Sequence, residues 1–363
     1  MKFRRVMAVM GIMAMTVCAC GKSSDKNTEK SSETQKVSEA ASQADTQLAG
    51  ETNTETKNYP EITSDKELKD KDTLIIIGDS GYEMYTYNQK SGEEYAKAIS
   101  DFAEKMEGTA KVYDIVIPLG SGIIFPDNKD NSQVKGQQEA MEDIYSKMSE
   151  KVNKVNVYDS LMTHRNEYIY FRTDHHWTQL GAYYAYSDLC KSMGAEAPAI
   201  DTYETVDFPG FIGSFYNDFK DEALKANPDT ITAYRPHAKD TATLVSPGDK
   251  DDYSWNIIYD VSDYPAGVKY STYIGGDNPF TTITNNEKTD GSACVVVKES
   301  FGNAFVPFLV DNYQYVYIVD YRYWQGNVGD LVKEKGAKDV IFLNNLSMIR
   351  NKYLVGQFQG IIK

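Results

Sequence analysis

Positive charge is scarce in this chain of 363 residues, which has 38 Lys and Arg residues against 53 Asp and Glu residues. The formal net charge is −15, so binding to nucleic acid or anionic lipid head groups through a basic surface is disfavoured. The apolar run at Val6–Val17 is too short for a membrane-spanning helix, and no internal repeat is visible. With 41% hydrophobic residues, the chain can build one large domain or two smaller ones, each with a core.

Cysteine is scarce as well. The chain has four cysteines, and two of them, Cys18 and Cys20, lie near the N-terminus. The other two are Cys190, in a predicted helix, and Cys294, in a predicted apolar strand. Apolar neighbours at both positions favour two buried free thiols, although a disulfide between them is left open.

Residues 1–20 have the composition of a leader peptide. A basic start precedes the apolar run, and Val17-Cys18-Ala19-Cys20 resembles the bacterial lipobox, in which small residues precede an invariant Cys. The resemblance implies that Cys20 becomes the lipidated first residue of the mature protein, anchored to the bacterial cell membrane on its outer side. An ordinary secretory leader cleaved nearby is the alternative, and it also predicts a location outside the cytoplasm.

Residues 21–60 have almost no large apolar side chains and are rich in Ser, Thr, Glu, Gln, Lys, Asn and Ala. Such a segment cannot bury enough apolar surface to fold, so it is predicted to be a disordered tether. A flexible coil of about 40 residues spans roughly 35 Å on average. The tether would hold a folded domain, residues 61–363, away from the membrane.

That domain alternates predicted strands and helices. Apolar strands are predicted at Thr73–Ile77, Lys111–Ile117 and Val155–Tyr158, and helices between them, the first with Ser91 and Glu94 as a capping box. The pattern changes at about 199–291, where short aromatic runs are broken by Gly, Pro, Asp and Asn. It resumes with an apolar strand that begins at Ala293. We therefore predict an α/β fold, a parallel sheet with helices on both faces, with an inserted segment at about 199–291 that is β-rich or irregular.

An unusual cluster of ionisable residues lies before the insertion. The chain has only four histidines, and two of them are consecutive in Asp174-His175-His176. The preceding run, Tyr168–Phe171, alternates like a buried strand, and the following run from Gln179 has helical spacing with Thr178 as N-cap. An Asp two residues before a His can orient the imidazole and leave its other nitrogen free as a general base. The cluster lacks a nucleophile.

Three serines compete for that role. Ser80, in Gly78-Asp79-Ser80, has the three residues that open the first motif of SGNH hydrolases, but so short a match is weak. Ser121 lies in a Gly-rich loop that turns the chain. Ser300 follows a strand and precedes an apolar helix, the setting that exposes a hydroxyl at a sheet edge.

Two segments together decide between these serines. The run Tyr170–Thr178 and the later run Lys298–Leu309 resemble, in this order, the DHHW family of bacterial surface proteins, which is similar to the SGNH-like acetyltransferases that O-acetylate alginate. The resemblance implies that Asp174 orients the base, that His176 is the base and that Ser300 is the nucleophile. His175 falls on a Thr of the alginate enzymes.

Five further residues are candidates for an oxyanion or substrate site. Gly302 and Asn303 follow the nucleophile, while Arg172 and Arg322 could bind a polar group, and structural roles are equally open for each. Trp177 is either core packing or a platform for a sugar ring. No metal site is predicted, because adjacent histidines in an extended segment point to opposite sides and would not share an ion.

The resemblance implies an enzyme that transfers acetyl groups to hydroxyls of a secreted or cell-wall polysaccharide. The acetyl group would come from a membrane-embedded acyltransferase, and no cofactor is needed. One alternative is a carbohydrate esterase with the same triad and water as acceptor. Another is a non-catalytic lipoprotein that binds or assembles a polysaccharide. The sequence leaves the glycan and the acyl donor open.

Overall fold

The structure, a computed structural model, describes residues 58–363. The predicted leader, the lipidation site Cys20 and nearly all of the predicted tether lie outside these residues, so those three remain predictions. Within the described part of the chain, no helix is both long and apolar enough to cross a membrane. Both Cys190 and Cys294 are free and buried, as expected from their apolar neighbours.

The strands of the described residues are short, and most have apolar inward faces. They are β1 (Leu68–Asp70), β2 (Leu74–Ile77), β3 (Ser80–Glu83), β4 (Lys111–Ile117), β5 (Val152–Lys154), β6 (Thr205–Phe211), β7 (Asp229–Tyr234), β8 (Thr241–Ser246), β9 (Tyr253–Trp255), β10 (Phe280–Asn285), β11 (Ala293–Lys298), β12 (Tyr315–Asp320) and β13 (Asp339–Asn345).

The α-helices range from single turns to 18 residues. They are α1 (Gln89–Met106), α2 (Gly120–Ile123), α3 (Gln137–Ser146), α4 (Tyr158–Thr163), α5 (Gln179–Ser192), α6 (Ser214–Phe219), α7 (Glu222–Lys225), α8 (Gly302–Leu309), α9 (Val328–Lys335), α10 (Leu346–Ile349) and α11 (Lys352–Ile361). Short 3-10 helices lie at Ser132–Val134, Ile200–Thr202 and Ala266–Thr272.

The main sheet has the strand order β5-β4-β13-β11-β12-β10-β8-β9. The first five strands in this order are parallel, as predicted, and every position of β11 is buried. Strands covered on both faces are expected to be continuously apolar, which is the pattern of Val295-Val296-Val297. The remaining three strands pair antiparallel, so the sheet is mixed rather than wholly parallel.

Helices cover both faces of this sheet. The connection β11–α8–β12 steps to one neighbour, whereas β12–α9–β13 crosses back over β11, and two right-handed crossovers in opposite directions place their helices on opposite faces. Ring contacts agree with this arrangement. Phe102 of α1 meets Phe342 of β13 at 5.3 Å between ring centroids, while Tyr186 of α5 stacks on Phe308 of α8 at 5.3 Å.

Three sequence-based element predictions need correction. The Thr73–Ile77 run forms β2, but β2 belongs to a separate antiparallel sheet, β1-β2-β3, because Gly78 has φ +63° and turns the chain directly into β3. The first helix begins earlier than expected, with Asn88 as its N-cap, and Ser91 lies inside it. The strand predicted at Val155–Tyr158 is displaced: β5 ends at Lys154, and Tyr158 begins α4.

The segment at about 199–291 contains β6 to β10 together with short helices. Strands β6 and β7 form a separate hairpin-like pair, while β8, β9 and β10 extend the main sheet. These strands are all antiparallel to their neighbours and need no helical crossover, which explains why the strand and helix alternation stops in the sequence here. Residues of this segment also contact the Asp174-His175-His176 cluster.

Candidate active site

The segment before α5 is a tight loop rather than the predicted strand. Tyr170 forms an isolated bridge with Trp177, and the Phe171 amide donates to the His176 carbonyl at 3.2 Å, so the chain doubles back with Asp174 and His175 at the tip. Consecutive burial of Ile169, Tyr170 and Phe171 anchors the loop in the core. The predicted N-cap of α5 is confirmed, because the Thr178 hydroxyl accepts from the Gly181 amide at 3.3 Å.

A buried carboxylate, Asp229 at the start of β7, holds the loop from behind. It accepts hydrogen bonds from the Thr173 hydroxyl at 2.6 Å, the Thr173 amide at 2.9 Å and the Arg172 amide at 3.2 Å. The Arg172 guanidinium forms an ion pair with the same carboxylate at 3.2 Å. Arg172 is therefore engaged with Asp229 and positions the loop.

At the tip of the loop, three side chains form a continuous hydrogen-bonded chain. His176 Nε2 lies 2.7 Å from Ser300 Oγ, and His176 Nδ1 lies 2.5 Å from Asp174 Oδ1. All three residues are buried, with 6–7% of their surfaces exposed. With an ionised Asp174 accepting from Nδ1–H, Nε2 is left to accept the Ser300 proton. Residues 124 positions apart in the sequence therefore meet in this corner.

Asp174 is held ionised by its surroundings. Burial alone would raise the pKa of its carboxyl, but the neighbouring His176 and His175 and the hydrogen bonds from His176 and the Ser214 amide outweigh burial and hold the pKa well below its usual range. The Ser214 amide donates to Oδ2 at 2.8 Å, and the His176 amide donates to Oδ1 at 3.0 Å. Gly213 lies so close that a Cβ at that position would collide with the Asp174 side chain.

Both faces of the His176 ring are covered. Tyr270 stacks on it with 4.1 Å between centroids and planes 13° apart, and His175 lies at 3.9 Å with planes 35° apart. Two rings cannot share one face at these distances, so they enclose the imidazole from opposite sides. The expectation that His175 points away is wrong, because the segment is bent rather than extended. Tyr270 also donates from its hydroxyl to the Ser300 carbonyl at 3.2 Å.

The bend also brings possible metal ligands together. One ligand atom each from Asp174, His175 and His176 lies within 4.8 Å of the others, so the geometric reason given against a shared ion does not hold. The ring nitrogens are nevertheless engaged: those of His176 with Asp174 and Ser300, and Nδ1 of His175 with Ser214 Oγ at 2.7 Å. Burial lowers the pKa of His175, and the neighbouring His176 lowers it further, which favours a neutral ring.

Ser300 sits in the turn between β11 and α8, at the carboxyl edge of the parallel strands, where ligand crevices form in open α/β sheets. The adjacent Glu299 is fully buried, and its carboxyl group lies 3.2 Å from Ser300 Oγ while accepting from the Phe301 and Asn345 amides at 3.1 and 3.2 Å. Burial raises the pKa of Glu299, although Arg322 and these two amides oppose the rise. Glu299 therefore fixes the turn that presents Ser300.

A family model of the DHHW protein matches residues 22–319. The chain belongs to the DHHW family. Solved structures agree: a DHHW family protein from Eubacterium siraeum is 28% identical, covers 83% of this chain and 99% of its own, and superposes with a TM-score of 0.74. No curated protein sequence matches.

A second solved relative is more distant. PatB1 from Bacillus cereus is 20% identical, with 80% of this chain and 99% of its own covered and a TM-score of 0.64. The same protein with a sulfonyl adduct gives 19% identity and the same TM-score. These similarities support the α/β, SGNH-like fold predicted from the sequence.

In this DHHW protein the residues after Ser300 are already hydrogen-bonded. The Gly302 amide donates to the Glu299 carbonyl at 3.0 Å, and the Asn303 amide donates to the Ser300 carbonyl at 3.1 Å. Neither amide is therefore available for an oxyanion in this arrangement, contrary to the expectation. A Cβ at Gly302 would collide with the Lys298 side chain, so glycine is required there for packing. The Asn303 side chain donates to Asp277 at 2.8 Å.

Two other candidate residues also have structural partners. Trp177 is fully buried and donates to the Phe301 carbonyl at 3.0 Å, so it packs beneath the Ser300 turn and cannot be a sugar platform. Arg322 pairs with Asp320 at 2.6 Å and with Asp277 at 2.9 Å. Together with the buried Lys298, it forms a charged network behind the turn. The role of Arg322 is thus to neutralise these two carboxylates.

The two competing serines have other partners. Ser80 begins β3, and its hydroxyl lies 3.3 Å from Asp79. Ser121, in the first turn of α2, accepts from the Gln137 amide group at 3.0 Å. Sequence reasoning missed Tyr270 and the Gly213-Ser214 pair, because they lie in the 199–291 segment and no local motif marks them.

Proposed function

We propose that this DHHW protein is an O-acetyltransferase that uses Ser300 as nucleophile, His176 as general base and acid, and Asp174 to hold the imidazole. The observation that carries the proposal is the hydrogen-bonded chain from Ser300 Oγ through both ring nitrogens of His176 to Asp174. This arrangement of nucleophile, base and orienting group is the one that acyl transfer needs.

In the first half of the reaction, Ser300 Oγ forms a bond to the carbonyl carbon of an acetyl ester while its proton moves to His176 Nε2. The tetrahedral intermediate then expels the donor alcohol, which takes that proton, and acetyl-Ser300 remains. The ionised Asp174 stabilises the imidazolium formed between these steps. Tyr270 and His175, on the two faces of the ring, keep Nε2 directed at Ser300.

In the second half, a sugar hydroxyl attacks acetyl-Ser300 and gives its proton to His176, and the proton returns to Ser300 Oγ when the product ester leaves. The acceptor is a secreted or cell-wall polysaccharide. A membrane-embedded acyltransferase supplies the acetyl group, and lipidation of Cys20 keeps the enzyme at the outer side of the membrane. An N-terminal mass measurement of the mature protein would test the anchor, since Cys20→Ala should remove the lipid.

The test of the triad uses the purified full-length protein and p-nitrophenyl acetate as an activated donor. Ser300→Ala and His176→Ala are each expected to lower turnover by about three orders of magnitude or more, because the residues act as a unit. For the same reason, the double variant should be hardly slower than either single one. Additive losses would contradict a shared role.

Product analysis then separates the possible acceptors. With chitotetraose or cellotetraose present, the transferase yields an oligosaccharide heavier by an acetyl group, detected by mass spectrometry. An esterase would hydrolyse the donor equally fast with or without sugar and leave the sugar unmodified. Absence of any turnover above that of Ser300→Ala would reject both enzymatic assignments and favour a binding role.

A further inference from the structure

We propose that the cavity between α2, the 125–139 segment and α4 binds the acceptor glycan as a neutral, hydroxyl-rich oligosaccharide. This inference rests on the proposed function for the identity of the acceptor, but its evidence is separate from the triad. The cavity has a volume of about 620 Å³, which is within the range of pockets that hold small-molecule ligands, roughly 300–1,000 Å³.

The cavity lies at the same edge of the sheet as Ser300. Ser121, which lines the cavity, lies in α2 shortly after the carboxyl end of β4, just as Ser300 follows the carboxyl end of β11. Only β13 separates these strands in the sheet. Because neighbouring strands are about 4.8 Å apart, the two strand ends are about 10 Å apart.

A narrow cleft of about 10 Å³, room for about one water molecule, lies between Ser121 and the loop that carries Asp174. The residues that line this cleft include Gly120, Ser121, Asp174 and His175. Ser121 thus lines both spaces. A sugar ring does not fit inside this cleft, so a glycan held in the cavity would reach Ser300 by passing over the half-buried His175 ring.

The residues that line the cavity have no net formal charge. Three acidic residues face it and three basic residues face it, giving a formal charge of zero in a chain whose net charge is −15; these residues are Asp127, Asp130, Glu139, Lys129, Lys135 and Arg165. Asp127 pairs with Arg165 at 2.9 Å, and Asp130 pairs with Lys135 at 2.6 Å. A polyanion such as a polyuronate or polyphosphate would find no net attraction here, whereas sugar hydroxyls can bond to groups of either sign.

Two lining residues have groups to offer a ligand. Tyr158 is half-buried, and a tyrosine ring presents an apolar face and a polar hydroxyl, which suits the mixed surface of a sugar. Lys129 is also half-buried, and it forms no ion pair with any residue between 58 and 363. Its ammonium group has three N–H donors that ligand hydroxyls can accept.

The test measures binding by calorimetry in the full-length Ser300→Ala background, which prevents turnover. Chitotetraose and cellotetraose serve as neutral probes, and tetragalacturonate serves as the anionic probe. At least one neutral probe is expected to bind more tightly than tetragalacturonate. Tyr158→Ala and Lys129→Ala should each raise the Kd of that probe by about tenfold or more. The matched changes Tyr353→Ala and Lys352→Ala, on exposed positions of α11, should leave it unchanged.

Three results would overturn the proposal. The first is no binding of either neutral probe, the second is preferred binding of tetragalacturonate, and the third is a Kd that neither cavity variant changes. Lys129→Ala removes a half-buried side chain that has no ion-pair partner among residues 58–363, so it should leave folding unchanged, whereas Tyr158→Ala is checked by circular dichroism. Ester turnover by the wild type without sugar tests the triad alone, so failure of the cavity and failure of the triad are distinguishable.

Discussion

Two of the buried aspartates of this domain, Asp174 in the loop before α5 and Asp114 in β4, have carboxyl groups whose pKa values are shifted in opposite directions. Both oxygens of Asp174 accept hydrogen bonds, and two imidazoles lie beside it. Asp114 accepts from the Tyr95 hydroxyl at 2.5 Å through Oδ1, but its Oδ2 has no partner among the described residues. The pKa of Asp174 lies well below the usual range, whereas burial raises the pKa of Asp114 from 3.8 to about 7, and the Tyr95 hydrogen bond only partly opposes this.

Burial itself therefore does not decide the charge of a carboxyl group in this protein. It opposes ionisation at both positions, and the outcome depends on whether imidazoles and amides compensate for the lost water. At Asp174 they do, so a negative charge is available to stabilise a protonated His176. At Asp114 only one hydroxyl is present, so the carboxyl group is a cost to the folded state once it ionises.

The largest effect is expected from removing the negative charge of Asp174. Asp174→Asn should lower turnover of p-nitrophenyl acetate by roughly three to four orders of magnitude, because an amide no longer favours the His176 tautomer that accepts from Ser300. Steady-state kinetics on the full-length protein measures the loss. Asp114→Asn is the matched control, since it makes the same chemical change in β4, two strands away from β11, and should retain most of the turnover. Equal losses in both variants would show that the effect is one of folding.

The sequence predicted those parts of the site that are encoded locally. The spacing of Asp174 and His176, and the apolar strand before Ser300, each follow from short stretches of chain. The parallel strands and their covering helices were predictable for the same reason, because burial on both faces requires continuous apolar runs. The candidate triad residues and the parallel strands of the sheet could therefore both be predicted from the sequence.

The rest depends on contacts between distant segments. Tyr168–Phe171 looked like a strand because aromatic and aliphatic residues alternate there, yet three consecutive residues are buried to anchor a loop. Tyr270, stacked on His176, comes from a segment nearly a hundred residues later in which no periodic pattern exists. Gly302, Asn303 and Arg322 were predicted as oxyanion or substrate residues, but their hydrogen bonds and ion pairs within the chain itself could not be read from spacing.

Ionisation of Asp114 is expected to lower the free energy of unfolding as the pH rises. The folded-state pKa of Asp114 is raised from 3.8 to about 7, so the folded protein binds the proton more tightly than the unfolded chain. Stability contributed by that proton is present below about pH 4 and is lost as the pH rises to about 7, by up to about 4 kcal/mol. Asp114→Asn should remove this loss. The unfolding free energy from urea titrations at pH 4 to 8 measures it.

The informative quantity is the difference in stability between wild type and Asp114→Asn at each pH. Other groups titrate in the same window: burial raises the pKa of Glu299 and lowers that of His175. Their contributions are common to both proteins and cancel in the difference. That difference should favour the variant increasingly from pH 4 to 7 and then level off. A difference that does not vary with pH would mean that Asp114 ionises normally in the folded protein.

The smallest effect is expected from a substitution that displaces the Asp174 side chain and leaves its carboxyl group in place. Gly213 has φ −89°, which any residue can adopt, so Gly213→Ala introduces no backbone strain and its only consequence is the collision of the new methyl group with the Asp174 side chain. A displacement of about 1 Å at a catalytic group costs on the order of a hundredfold in rate. We therefore expect kcat for p-nitrophenyl acetate to fall by roughly that factor. Gly360→Ala, in α11 with open space around the added methyl group, is the matched control and should retain full activity. Full activity of Gly213→Ala would mean that the loop yields without disturbing the bond between Asp174 and His176.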